Sequence, residues 1–370
     1  MRLQAVEFRR VAVPLVAPFR TSFGTETVHE VLLVHVVTDS SQGWSECVAM
    51  TAPAYSSEFL DGAAEVIRRF LIPAARGLGD GLSAEAFGEA VRWVKGHRMA
   101  KAAVETAILD AELRVSGESF GSRLGAVKDR VPTGVSVGIA SSIPALLDTV
   151  GGYLDAGYLR IKLKIEPGWD IAPVRAVRER FGDILLQVDA NTAYHRTDGA
   201  HLAQLDDFDL LLIEQPLDEE DIAGHAILAE VMRTPVCLDE SILSAQIAID
   251  AIESGACEIV NIKPGRVGGY LESVRIHDAC VERGIPVWCG GMLETGIGRA
   301  ANLALAALPG FTLPGDTSGS ARYYARDLTA PFVLEDGHIS VPTGPGIGVE
   351  IDPDALAEFT LSSEWLDLTE

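Results

Sequence analysis

Five charged residues recur along the middle of the chain at a nearly constant step. Lys164 to Asp189, Asp189 to Glu214 and Glu214 to Asp239 are each 25 residues, and Asp239 to Lys263 is 24. Three carboxylates brought side by side repel one another, and a hard divalent cation is the natural remedy. Oxygen ligands without Cys or His favour Mg²⁺, with Mn²⁺ as the alternative, and water or substrate would complete the octahedron. A lysine on either side of a bound carboxylate substrate could take a proton from one face and return it to the other. For that, burial and neighbouring cations must lower its pKa towards the working pH. Carbon acids beside a carboxylate are very weak, and a divalent cation on the carboxylate stabilises the enediolate left when the proton leaves. One rim carboxylate alone would read as a salt-bridge partner; three in register favour the metal site.

That spacing equals one strand plus one helix. From about residue 131 the runs "TGVSVGI", "LRIKLKI", "ILLQVDAN", "LLLIEQP", "PVCLDES", "EIVNIKP", "IPVWCGG" and "GFTLPGD" alternate with helix-like spans such as "DIAPVRAVRERFG" and "AQIAIDAIESG". Eight strands alternating with helices form parallel βαβ units, and their near-continuous apolar character requires burial on both faces, as in a closed barrel. Each charged residue closes its run, so all of them open on the face where such barrels carry active sites. Lys164 ends the second strand and Lys263 the sixth, which places them across the mouth from each other with the carboxylates on the arc between. In "GYLRIKLKIEPG" strand alternation puts Lys162 on the same side as Lys164, roughly 6–7 Å along. Lys162 is then the cation that lowers the Lys164 pKa and grips a substrate carboxylate oxygen. Ile161, Leu163 and Ile165 face the surrounding helices.

Residues 1–125 follow a different pattern. "VEFRRVAVPL" and "EVLLVHVVT" read as antiparallel strands joined through "VAPFRTSFGT", and helical stretches follow at about 57–75 and 100–116. This is an α+β unit that would cap the barrel of residues 126–324, with a C-terminal segment of about 325–370 packing back on it. The "VAPFRTSFG" stretch is either a hairpin connection or a lid.

Composition limits the partners. Lys and Arg number 30 against 53 Asp and Glu, a formal charge of −23, and no basic patch stands out, which argues against nucleic acid or an anionic membrane surface. The N-terminus has no continuous apolar segment of signal type, and no run of about 18 apolar residues is present. Cys47, Cys237, Cys257, Cys280 and Cys289 show no CxxC spacing and read as reduced, buried thiols of a cytoplasmic protein.

"KLK", "DAN", "EQP", "DES" and "NIKPGRVGG" on successive strands resemble the muconate-cycloisomerase branch of the enolase superfamily. More narrowly, "APFRTSFGT", "GHRMAK", "KPGRVGGY" and "PVWCGGM" resemble its o-succinylbenzoate synthase / N-succinylamino acid racemase group. The resemblance covers nearly the whole chain. It implies an α/β fold, a (β/α)7β TIM-like barrel with an N-terminal α+β capping domain, and Mg²⁺ held by Asp189, Glu214 and Asp239. Lys164 and Lys263 would be the acid/base pair. In racemisation they exchange a proton across the α-carbon. In o-succinylbenzoate formation, a dehydration in menaquinone synthesis, Lys164 takes the proton and assists loss of hydroxide while Lys263 stabilises the enolate. Arg266 would tune Lys263 from behind, or be an ordinary rim salt bridge, and Glu240 would support the carboxylates. Substrate contacts are expected from Lys162, from Phe19, Thr21, Phe23, Met50 and Tyr55 on the cap, from Ser136 and Asn191, and from Gly291 and Met292 after the seventh strand. The partner would be a small-molecule carboxylate, and the assembly a homo-oligomer. A dipeptide epimerase or a muconate cycloisomerase would share the metal and lysines and differ in the cap loops. A Schiff-base barrel aldolase is the reading from a different reaction class. A non-catalytic barrel would bury these charges without return.

Overall fold

The computed structural model describes residues 1–369. Its first sheet is an antiparallel meander of β1 (Leu3–Thr21), β2 (Gly24–Thr38) and β3 (Gln42–Cys47), to which the C-terminal strand Thr360–Asp367 adds itself along β1. β2 lies inside the sheet, and its run Val31–Val36, apolar except for His35, is buried throughout rather than alternating. The helix Arg98–Ser116 packs across β2 and β3. Gly43 on β3 makes this close approach feasible, since a Cβ there would lie 2.1 Å from the Ala107 carbonyl oxygen. The helix expected at 57–75 spans 60–77 and contains a π-helical turn at Ile67–Leu71. Pro73 follows that turn, and its missing N–H and ring clash disfavour regular α-helical bonding just before it.

The barrel strands are β4 (Gly134–Val137), β5 (Arg160–Lys164), β6 (Leu185–Asp189), β7 (Ile213–Glu214), β8 (Val236–Leu238), β9 (Ile259–Ile262) and β10 (Val287–Cys289). They pair in sequence order, all parallel. The eighth run, "GFTLPGD", departs from expectation. It forms no regular strand and closes the ring through single bridges, Phe311 to Val287 and Gly315 to Thr133. Pro314 in its centre has no N–H to give to a ladder, so pairing there cannot be continuous. The architecture is seven regular strands and an irregular eighth segment.

"VAPFRTSFG" is a hairpin tip. β1 runs through it to Thr21, with irregular pairing to β2 between Pro14 and Phe19, and the tip reaches the barrel, where the Ile139 N–H donates to the Arg20 carbonyl at 2.9 Å. Among the described residues no helix is long and apolar enough to cross a membrane, and all five cysteines are buried and unpaired.

Asp110, fully buried in the helix Arg98–Ser116, ties three distant segments together. Its carboxylate accepts from the Trp44 N–H at 2.9 Å, from the Ile347 N–H at 2.8 Å and from Arg114 Nε at 3.1 Å. Asp110→Ala strands buried N–H groups and should lower the unfolding free energy by about 2–5 kcal/mol. Urea unfolding measures this directly, and an unchanged midpoint would count against the anchoring role.

Candidate active site

Alternation on β5 and the ends of β6 and β7 bring the charged residues to the barrel mouth. Lys164 pairs with Asp189 and Asp189 with Glu214 in the strand register; Asp239 follows β8 and Lys263 follows β9. Asp189, Glu214 and Asp239 have no exposed surface, and Lys162, Lys164 and Lys263 are nearly as buried. Lys162 Nζ lies 3.2 Å from Asp189, 3.1 Å from Glu214 and 2.5 Å from Asp316. Lys164 Nζ donates to Asp189 at 2.6 Å and to Asn191 Oδ1 at 2.5 Å. Lys263 Nζ donates to Asp239 at 2.7 Å and to the Tyr55 hydroxyl at 3.2 Å, and that hydroxyl donates on to Asp239. Asn191, Thr192 and Gln215 take positive φ in the turns beyond β6 and β7, a strain common at functional sites. In that conformation Asn191 bridges Lys164 and Glu240, donating to Glu240 Oε1 at 2.9 Å.

The three carboxylates are thus each matched to an ammonium rather than gathered on one point. Among the described residues no three acidic, imidazole or thiol groups converge on an ion-sized position. The donor set nevertheless fits a hard cation. It consists of oxygens on consecutive strand ends, and two buried acceptors beside them, Glu240 Oε2 and Asn261 Oδ1, have no hydrogen-bond donor.

The two lysines differ electrostatically. Burial, aided by Lys162, pulls Lys164 below the ordinary ammonium range despite Asp189. Burial also disfavours charge on Lys263, but Tyr55, Glu214, Glu240 and Asp189 outweigh it and hold this lysine above that range. Burial and charge thus bias the two lysines in opposite directions, Lys263 through the barrel's carboxylates and the Tyr55 hydroxyl of the cap. Lys162 is likewise held charged against burial, by Asp316, Glu214 and Asp189. Burial and Asp189 push Glu240 up to about 7. Arg266 contacts Asp239 through Nη1 and donates to the Ile242 and Asn261 carbonyls. Its link to Lys263 runs through their shared carboxylate, Asp239.

A cavity of about 260 Å³ opens above these groups. Phe19, Thr21, Phe23, Met50, Tyr55, Ser136, Lys162, Lys164, Asn191, Lys263, Gly291 and Met292 all line it. Asp189, Glu214, Asp239, Glu240 and Arg266 lie in the layer beneath. Sequence reasoning missed several lining residues, among them His29, Leu293, Asp316 and Tyr323. Asp316 closes the eighth run as the other acids close theirs, a signal hidden because the 25-residue step lapses after Lys263. Nothing local marks His29, which reaches the cavity from a cap strand.

Comparison with known proteins gives the same picture over the whole chain. Residues 4–125 match the mandelate racemase / muconate lactonizing enzyme N-terminal domain, and residues 145–355 match the enolase C-terminal domain-like family. An N-succinylamino acid racemase from Amycolatopsis sp. is 63% identical over 99% of this chain and 100% of its own length. An o-succinylbenzoate synthase from Geobacillus kaustophilus is 44% identical over 97% of this chain and 96% of its own. The crystal structure of an enolase superfamily member from Listeria innocua superposes with a TM-score of 0.95 at 39% identity, covering both chains completely. With acidic strand ends, flanking lysines and both domains accounted for, the chain belongs to the enolase superfamily, among the relatives named N-succinylamino acid racemase and o-succinylbenzoate synthase.

Proposed function

We propose that this enzyme removes the proton α to a carboxylate, racemising N-succinylamino acids and forming o-succinylbenzoate by dehydration in menaquinone synthesis. The observation that carries the reading is the pair of lysines, Lys164 and Lys263, lining one cavity from barrel strands four apart. Lys164, the amine pulled towards neutrality, accepts the proton. Lys263, across the cavity, delivers one to the other face, and the roles exchange for the other enantiomer. Lys162 holds a substrate carboxylate oxygen with a fixed positive charge. Phe19 and Phe23 from the hairpin tip, with Met50 and Tyr55, wall the cavity from the cap side. Asp189, Glu214 and Asp239 would hold Mg²⁺, which when bound neutralises the charge that develops on the substrate carboxylate.

The dipeptide epimerase alternative requires a place for a substrate ammonium. Asp316, the acid facing the cavity from the eighth segment, is already paired with Lys162 at 2.5 Å and Arg160 at 2.9 Å. Asp316 is therefore no free partner for a substrate ammonium. The five buried thiols suit a reducing, cytoplasmic setting, and assembly into a homo-oligomer belongs to the same reading.

Lys164→Ala should reduce racemase and synthase turnover by at least about 10²–10⁴-fold. Lys263→Ala should abolish α-proton exchange in one enantiomer only, as read by ¹H NMR in D₂O with Mg²⁺ and an N-succinylamino acid. Normal racemisation by Lys263→Ala would sink the two-base assignment, and exchange in wild type without racemisation or dehydration would leave the chemistry intact and the substrate wrong. Dialysis against EDTA should remove activity and Mg²⁺ should restore it. Activity that survives EDTA and a borohydride-trapped adduct would point instead to Schiff-base chemistry.

A further inference from the structure

β5 carries a third cation on the face that holds Lys162 and Lys164. Arg160 is fully buried one pleat below Lys162. Its Nε and Nη2 both donate to the Pro314 carbonyl, at 3.2 and 2.8 Å, and its Nη1 donates to Asp316 Oδ1 at 2.9 Å. The guanidinium also lies over the Trp288 ring at 5.2 Å, while Lys162 Nζ stands 4.8 Å from the centre of the same ring. Gly134 on the neighbouring strand is shaped to this side chain, since a Cβ there would lie 2.5 Å from the guanidinium carbon. Arg160 thereby supplies hydrogen bonds to the eighth segment where regular strand pairing lapses.

It also holds one end of a short chain of charges. Asp316 gives one oxygen to Arg160 and the other to Lys162, and of these two cations only Lys162 faces the cavity. We propose that Arg160 is a positioning residue. Acting through Asp316, it fixes where the Lys162 ammonium stands and so how firmly the substrate carboxylate is held, an inference that rests on the function proposed above. Without Arg160, Asp316 Oδ1 would lose its charged partner in a buried site. The Asp316 carboxylate would then lose its fixed place, and with it the Lys162 ammonium that meets the substrate carboxylate.

The test is Arg160→Met and Asp316→Asn, singly and together, in the full-length enzyme with Mg²⁺. Turnover of an N-succinylamino acid is followed kinetically and its Kd by calorimetry. Each single variant should raise KM and Kd about tenfold while kcat changes less than about threefold. The double variant should be no worse than the worse single, because both break the same chain. Arg160→Lys should recover part of the loss. Additive effects, or a lowered melting temperature with KM and Kd unchanged, would overturn the proposal. Should Arg160→Met not fold, Asp316→Asn decides alone, and an unchanged Kd overturns it. The Kd comparison stands even if wild type binds the acylamino acid without turning it over, an outcome that would count against the proposed function only.

Discussion

The structure turns on keeping a dense set of opposite charges out of water at the end of a barrel. Lys162 is its centre, with Asp316, Glu214 and Asp189 all within 3.2 Å of its ammonium. Burying one such charge costs several kcal/mol, and only close, well-directed partners offset it. Each surrounding acid is therefore matched: Asp189 also to Lys164, Asp239 to Lys263 and Arg266, and Asp316 also to Arg160. A barrel can hold such an array because consecutive parallel strands present their ends at one rim, each on a rigid backbone.

The same array explains why two chemically identical amines behave differently. Lys164 has one carboxylate at hydrogen-bond distance and a second ammonium nearby, so burial prevails and its charge is disfavoured. Lys263 is surrounded by anions and by the Tyr55 hydroxyl, so its charge is favoured. Tyr55 comes from the cap, and through it the N-terminal domain reaches the reacting groups as well as walling the cavity.

Much of the site was legible in the chain itself. The 25-residue step located Lys164, Asp189, Glu214, Asp239 and Lys263, because one strand and one helix consume nearly the same length in each unit. Period-two alternation put Lys162 beside Lys164, and extended by two residues it would have added Arg160. The eighth segment was harder to read: Pro314 breaks its ladder, so an apolar run that looks like a strand closes the ring by isolated bridges. Asp316 went unnoticed because the 25-residue step lapses after Lys263.

The sequence by itself determined which side chains share a face and which close a strand, since these follow from local periodicity. Only the tertiary structure decided that Tyr55 meets Lys263, 208 residues away, that Arg160 reaches Asp316, 156 residues away, and that burial and charge bias Lys164 and Lys263 in opposite directions. Such contacts depend on how a cap hairpin docks on a barrel mouth and on the sum of burial and charge from several elements at once. No local pattern encodes that sum, because each contributing side chain lies on a different segment and its field acts through space.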